Sequence, residues 1–173
     1  MTTATFASLT LLLASCVGAP DQPTSPAPSQ RPAPVPAPAP APPPAAPVEW
    51  QYRPTTPGNW TYRAESTGSV ASFGAPGTAA LVTMRCNVAA RQVSVARAGA
   101  GKGLLTVRTS YGATNWPAAA TPTAVVATRT ATDATLDQIA YSRGHFALEA
   151  QGVDMLILPA WAEVSRVIED CRR

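Results

Sequence analysis

The stretch Pro159-Ala160-Trp161-Ala162-Glu163-Val164-Ser165-Arg166-Val167-Ile168-Glu169-Asp170-Cys171 is the most strongly patterned in the 173-residue chain. Trp161, Val164, Val167, Ile168 and Cys171 recur at the three- and four-residue steps that place side chains on one face of a helix. Glu163, Arg166, Glu169 and Asp170 fall on the other face. There Arg166 with Asp170, and Glu169 with Arg173, stand four residues apart and can pair. Pro159 suits the first turn, where a backbone N–H has no helical partner to lose. The pattern predicts a C-terminal amphipathic helix with Cys171 on its buried stripe. In Ala79–Asn87, Val82, Met84 and Cys86 alternate as on the inward face of a strand. One helical and one extended periodicity thus turn Cys171 and Cys86 toward the interior.

Working back from these two elements, alternation predicts strands at Trp50–Arg53 and Asn59–Glu65 on either side of a turn at Pro54 to Asn59. A short strand at Ser69–Phe73 leads into turn chemistry at Gly74-Ala75-Pro76-Gly77. Gln92–Arg97 points Val93 and Val95 inward, and Leu104–Ser110 returns as a strand. Gly99, Gly101 and Gly103 around Lys102 read as the hairpin loop between them; they lack the Gly-Lys-Ser/Thr ending of a phosphate loop. Gly112 to Thr123, with Trp116, reads as a loop, and Thr123–Thr130 as a strand. Asp133 is placed to cap a short helix from Ala134 to Ser142, with Leu136, Ile139 and Ala140 on one side and Gly144 ending it. Phe146, Leu148 and Ala150 alternate, and a turn at Gln151–Asp154 leads to the apolar run Met155–Leu158. The expected fold is α+β, mainly β: an antiparallel curled sheet or small sandwich, with the short helix and the C-terminal helix packed on it.

The other end of the chain has a different character. A short apolar run, Phe6 to Leu13, precedes Ala14-Ser15-Cys16. The run is far below the roughly 20 residues a membrane-spanning helix needs, and fits the apolar region of a secretory signal. No Lys or Arg precedes it, although such signals normally begin with positive charge. Leu13-Ala14-Ser15-Cys16 resembles the lipobox of bacterial lipoproteins. That resemblance implies a signal peptide over 1–15, cleavage before Cys16, a diacylglyceryl thioether on Cys16 and usually a third acyl chain, such as palmitate, on the new amine. Two or three chains anchor durably, at about 0.8 kcal/mol per buried methylene. By the enterobacterial sorting rule Val17 favours the outer membrane over the inner, with the domain in the periplasm or at the cell surface. Residues 16–48 then form a tether. Pro20 to Pro47 holds thirteen of the nineteen prolines. Proline fixes φ and donates no hydrogen bond, so polyproline II mixed with disorder is expected, with a reach of at most about 85 Å. It serves as a spacer or, on a second reading, as a ligand for a proline-recognition domain. Residues 49–173 remain for a single globular domain.

Lipidation of Cys16 leaves Cys86 and Cys171 as a pair in an oxidising compartment, so the resemblance implies a disulfide between them. The inward periodicities agree with it. Closing a loop of about 86 residues is worth at most roughly 4 to 5 kcal/mol on the chain-entropy argument. The alternatives are two free thiols or a metal pair, and a single histidine leaves a zinc set short of ligands.

Reactive constellations are sparse. His145 is the only histidine; Asp133 and Asp137 precede it, but no Gly-x-Ser-x-Gly elbow exists. The acidic pairs Glu149 with Asp154, and Glu163 with Glu169, are not placed in a cleft by any pattern. No catalytic residue, cofactor or metal is assigned. The net charge is +3, but the basic residues are scattered singly apart from Arg172-Arg173, which argues against nucleic acid as a partner. Tyr141-Ser142-Arg143-Gly144-His145-Phe146 is the most distinctive stretch outside the core, with Tyr141, Arg143 and His145 as a candidate recognition loop; the alternative is a plain helix-to-strand connector. Phe146-x-Leu148, Gly152, the apolar run and the helix ending in Cys171 resemble the invasion-associated locus B and type VI accessory groups of small periplasmic β-domains. Size, lipid and single disulfide are similar to those of periplasmic lysozyme inhibitors, although Ser142-Arg143-Gly144-His145 departs from their inhibitory loop. Neither resemblance carries functional residues across. The expected function is a membrane-anchored periplasmic lipoprotein whose domain binds an envelope protein partner or supports the envelope without catalysis. A cell-wall hydrolase inhibitor is the alternative and a cryptic hydrolase centred on His145 the third; the oligomeric state is left open.

Overall fold

Strand β1 (Asn59–Glu65) pairs along its whole length with β2 (Gly68–Gly74), and β2 with β3 (Val82–Asn87). Next to β3 come β4 (Gln92–Ala98), β8 (Ala124–Thr130) and the two-residue β7 (Ala119–Ala120), all antiparallel, completing a six-stranded sheet. A second, four-stranded sheet has the order β10 (Val153–Pro159), β9 (His145–Gln151), β5 (Lys102–Thr109), β6 (Gly112–Pro117). Helices α1 (Ala134–Ala140) and α2 (Ala162–Asp170) complete the α+β, mainly β architecture. The computed structural model describes residues 49–173; the signal peptide, Cys16 and the tether expected over 1–48 lie outside the described residues.

Register converts alternation into rows across the inner face of the larger sheet. One row runs Trp60, Phe73, Val82, Arg97, Val125; the next runs Tyr62, Ala71, Met84, Val95, Ala127; the third runs Ala64, Ser69, Cys86, Val93, Arg129. The apolar members other than the exposed Ala64 join Leu105, Trp116, Phe146, Leu148 and Leu158 of the smaller sheet in one core. Helix α2 adds Val164, Val167 and Ile168, all buried, each worth about 1.5–3 kcal/mol of transfer free energy. It lies against β1, β2, β3 and α1.

The cysteine expectation holds: Cys86 and Cys171 are joined in a disulfide, with Cα atoms 5.4 Å apart. Gly68 shows how tightly the chain packs there. Its φ is +152°, and a Cβ on it would overlap the Cys86 carbonyl oxygen.

Several expectations are corrected. Trp50–Arg53 is not a strand but a 3-10 turn over Trp50–Tyr52: the Tyr52 and Arg53 N–H groups close locally onto the Glu49 and Trp50 carbonyls, just before Pro54. The glycine segment 99–103 is not a hairpin loop. It carries the chain from one sheet to the other, and Gly101 is needed because a Cβ would come within 2.7 Å of Val125 Cγ2. Gly112 to Thr123 is not a loop throughout: it forms β6 and β7, with Trp116 buried opposite Leu105 and Pro117 tolerated at the end of an edge strand. The capped helix after Asp133 ends at Ala140, two residues early. Pro159 closes β10 rather than opening the final helix, and its carbonyl accepts the Trp60 indole N–H at 2.8 Å. Trp161 is the N-cap of α2 and 45 % exposed, off the buried stripe.

Replacing Cys86 and Cys171 together by alanine is expected to lower unfolding free energy by about 3–5 kcal/mol in a urea titration, with an unchanged far-ultraviolet spectrum before the transition.

Candidate functional site

Two surface regions carry polar side chains fixed in place. The first contains the candidate recognition loop. Tyr141 caps α1, and Gly144, with φ +77°, turns the chain into β9. Between them Ser142 is buried; its hydroxyl donates to the His145 carbonyl at 2.6 Å and accepts from the Ser110 N–H at 3.0 Å. Ser110 Oγ in turn accepts from the Arg143 N–H. The loop is thereby bound to the β5–β6 turn, with Tyr141 and Arg143 exposed beside the exposed Tyr111. His145 points elsewhere: its ring meets Trp50 edge-on, with centroids 5.4 Å apart. Tyr141 and Arg143 thus stay exposed on one pinned loop, while the His145 ring packs on Trp50 at the start of the domain.

Three of the acidic residues near His145 and on β9 are engaged in structural pairs. Glu149 is held by both Nε and a terminal nitrogen of Arg108, at 3.0 and 2.9 Å. Asp133 caps α1 through the Thr135 N–H and binds Arg129, and Asp137 binds Arg172. Among the described residues no group of three or more His, Cys, Asp or Glu side chains could hold a metal ion.

The second region was not singled out by the sequence. A groove of about 870 Å³ opens between the β1–β2 turn, the β3–β4 turn and the end of α2. Tyr62 and Ala64 supply one side, Asn87 and Val88 another, and Arg166, Asp170 and Arg173 the third. Its position follows from the disulfide: with Cys171 tied to Cys86, the polar residues one and five positions earlier come to lie over β1. The expected pairs Arg166 with Asp170, and Glu169 with Arg173, are replaced there. Arg166 lies over the Tyr62 ring, 3.9 Å from its centroid. The Tyr62 hydroxyl donates to Asp170 Oδ2 at 2.7 Å, and Arg173 reaches Asp170 at 3.7 Å. Burial pushes the Asp170 carboxyl up, but the hydrogen bond from the Tyr62 hydroxyl and the charges of Arg173 and Arg166 outweigh it and hold it below the usual aspartate value. At the rim, the hydrogen bond from Arg63 and the nearby charge of Arg85 hold the Glu65 carboxyl low as well, against a smaller effect of desolvation. Pairing, capping and stacking thus fix a short chain, Asp170 to Tyr62 to Arg166, on the wall of a groove of ligand size.

The depressed Asp170 value gives a pH signature. Stability from this carboxylate is complete above the unfolded value of about 3.9 and is lost as pH falls through the lower folded value. Tyr62→Phe removes the hydroxyl but keeps the ring. It is expected to cost about 1 kcal/mol at pH 7, a deficit that shrinks below about pH 4, as read from urea titrations across pH.

Comparison of the chain with protein-family models, with curated proteins and with solved structures finds no match.

Proposed function

We propose that this protein is an envelope lipoprotein: a small binding domain held on a membrane by acyl chains on Cys16, through a proline-rich spacer, and engaging its partner without catalysis. The anchor rests on the lipobox-like Leu13-Ala14-Ser15-Cys16 and the proline stretch after it. No helix among the described residues is long and apolar enough to cross a membrane. The outer membrane, with the domain in the periplasm, is the compartment this reading favours, and the Cys86–Cys171 bond suits an oxidising one. The observation that carries the binding role is the groove, whose Tyr62 and Arg166 are pre-oriented by Asp170. The non-catalytic reading draws support from His145, whose ring packs on Trp50 while the nearest serine, Ser142, bonds its backbone.

A second reading, inhibition of a cell-wall hydrolase, is favoured by one observation: the Tyr141–Phe146 loop is exposed at Tyr141 and Arg143 yet pinned by Ser142 and Ser110. A rigid, protruding loop loses little entropy on entering a cleft.

Three measurements separate these readings. Cys16→Ser is expected to move the protein from the membrane fraction to the soluble one and to remove the mass of the acyl chains; wild-type protein already soluble and unmodified would end the anchor reading. A photoreactive residue at Ala64, in the groove, should crosslink a partner in intact cells, whereas one at Thr128, exposed on the outer face, should not. Lysozyme assayed with a molar excess of the domain should keep its activity; inhibition lost in Arg143→Ala would instead favour the second reading.

A further inference from the structure

Arg166 is the least explained charged group on the groove wall. It is exposed, and among the described residues it makes neither an ion pair nor a hydrogen bond. The face of its guanidinium is spent on Tyr62, which leaves the donor edge free. Tyr62 cannot swing away without breaking its bond to Asp170. Two arginines, Arg166 and Arg173, and two carboxylates, Glu65 and Asp170, line the groove, and both carboxylates are already engaged, Glu65 by Arg63 and Arg85 and Asp170 by Tyr62 and Arg173. With both carboxylates engaged, Arg166 keeps its donors unfilled on a planar fork held against Tyr62, an arrangement that recognises a carboxylate. The strand beneath supplies the second half of the argument. Tyr62 and Ala64 belong to β1, the outermost strand of the six-stranded sheet. Its seven residues include no proline, and its outer side has no backbone partner among the described residues. A free strand edge pairs with an extended peptide.

We propose that the groove takes the C-terminal end of an extended peptide, which adds to the free edge of β1 and places its terminal carboxylate on Arg166. This rests on the groove being the binding site of the domain. A terminal peptide carboxylate has two sources in an envelope, the end of a protein chain and the stem peptide of the cell wall. A ladder with β1 needs consecutive L-residues, so the protein end is the expected ligand; stem peptides that mix D- and L-residues fit poorly.

The test uses the oxidised domain and three probes: an acetylated tetra-L-alanine with a free carboxylate, the same peptide as its C-terminal amide, and a muramyl pentapeptide. Binding is followed by amide chemical shifts of Thr61–Glu65. The free acid is expected to shift them, the amide to bind about 10- to 100-fold more weakly, and Arg166→Ala to erase the difference between acid and amide. Arg166→Lys, which keeps charge but not the fork, should retain only part of it. Arg143→Ala, remote from the groove, should leave it intact. Equal binding of acid and amide, an unaltered preference in Arg166→Ala, or stronger binding of the muramyl pentapeptide would overturn the proposal. So would a concentration-dependent dimer pairing through β1, since a second copy would then own the edge. If these outcomes appear while Ala64 still crosslinks a partner in cells, the carboxylate assignment falls and the groove reading stands. Loss of the crosslink removes both.

Discussion

The bond between Cys86 and Cys171 is the constraint from which the functional surface follows. It joins the third row of the larger sheet to the residue that caps the end of the final helix, across a sequence separation of 85. Without it, α2 has only three fully buried side chains, Val164, Val167 and Ile168, to hold nine helical residues. An isolated helix of that length is not stable in water, so tertiary contacts must supply what propensity does not. The disulfide supplies a fixed point, and Arg172 adds a second through the Ala131 carbonyl and Asp137. With the end of the helix held, the opposite face of α2 has one orientation over β1 to β3.

That orientation converts ordinary surface charges into a site. Arg166 and Asp170 are two of several polar residues on an amphipathic helix, and on a free helix they would pair weakly with each other. Over the sheet they are separated by Tyr62, which accepts the cation on its ring face and gives its hydroxyl to the anion. The cost of ordering three side chains is offset in advance by folding, so a ligand meeting them would not bear it again. The other end of the domain shows the same economy put to a structural end. Thr56 exchanges its N–H and hydroxyl with the Ile157 backbone, and Trp50 packs on His145, so the first described residues are strapped to the outside of the smaller sheet.

The sequence was most legible where one period governs a long run. Alternation alone gives the bounds of Asn59–Glu65, and the inward set Val82, Met84, Cys86, Val93 and Val95 faces the core. Asp133 caps its helix through the Thr135 N–H, and Val164, Val167, Ile168 and Cys171 are all buried. Legibility failed where a residue's partner is distant. Glycines at 99–103 signal a turn but not which sheet the chain enters, and Trp116 sits in a stretch whose small residues hide a strand. Arg97 is buried in a row of apolar residues, held by the Asp154 carbonyl at 2.8 Å, a contact between two sheets that no local pattern announces. The groove belongs to this class. Its members are 62 to 68, 87 to 89 and 166 to 173 in sequence, and only the cysteine pairing hinted that these segments meet.

Hydrogen exchange of the oxidised and reduced domain tests most directly whether the disulfide holds the helix that makes the groove. The account predicts that reduction leaves the amides of β3 and β4 protected while those of Val164–Ile168 exchange far earlier, and that the Tyr62 signals lose the ring-current contact with Arg166. Protection of α2 that is unchanged by reduction, with the Tyr62–Arg166 contact intact, would contradict it.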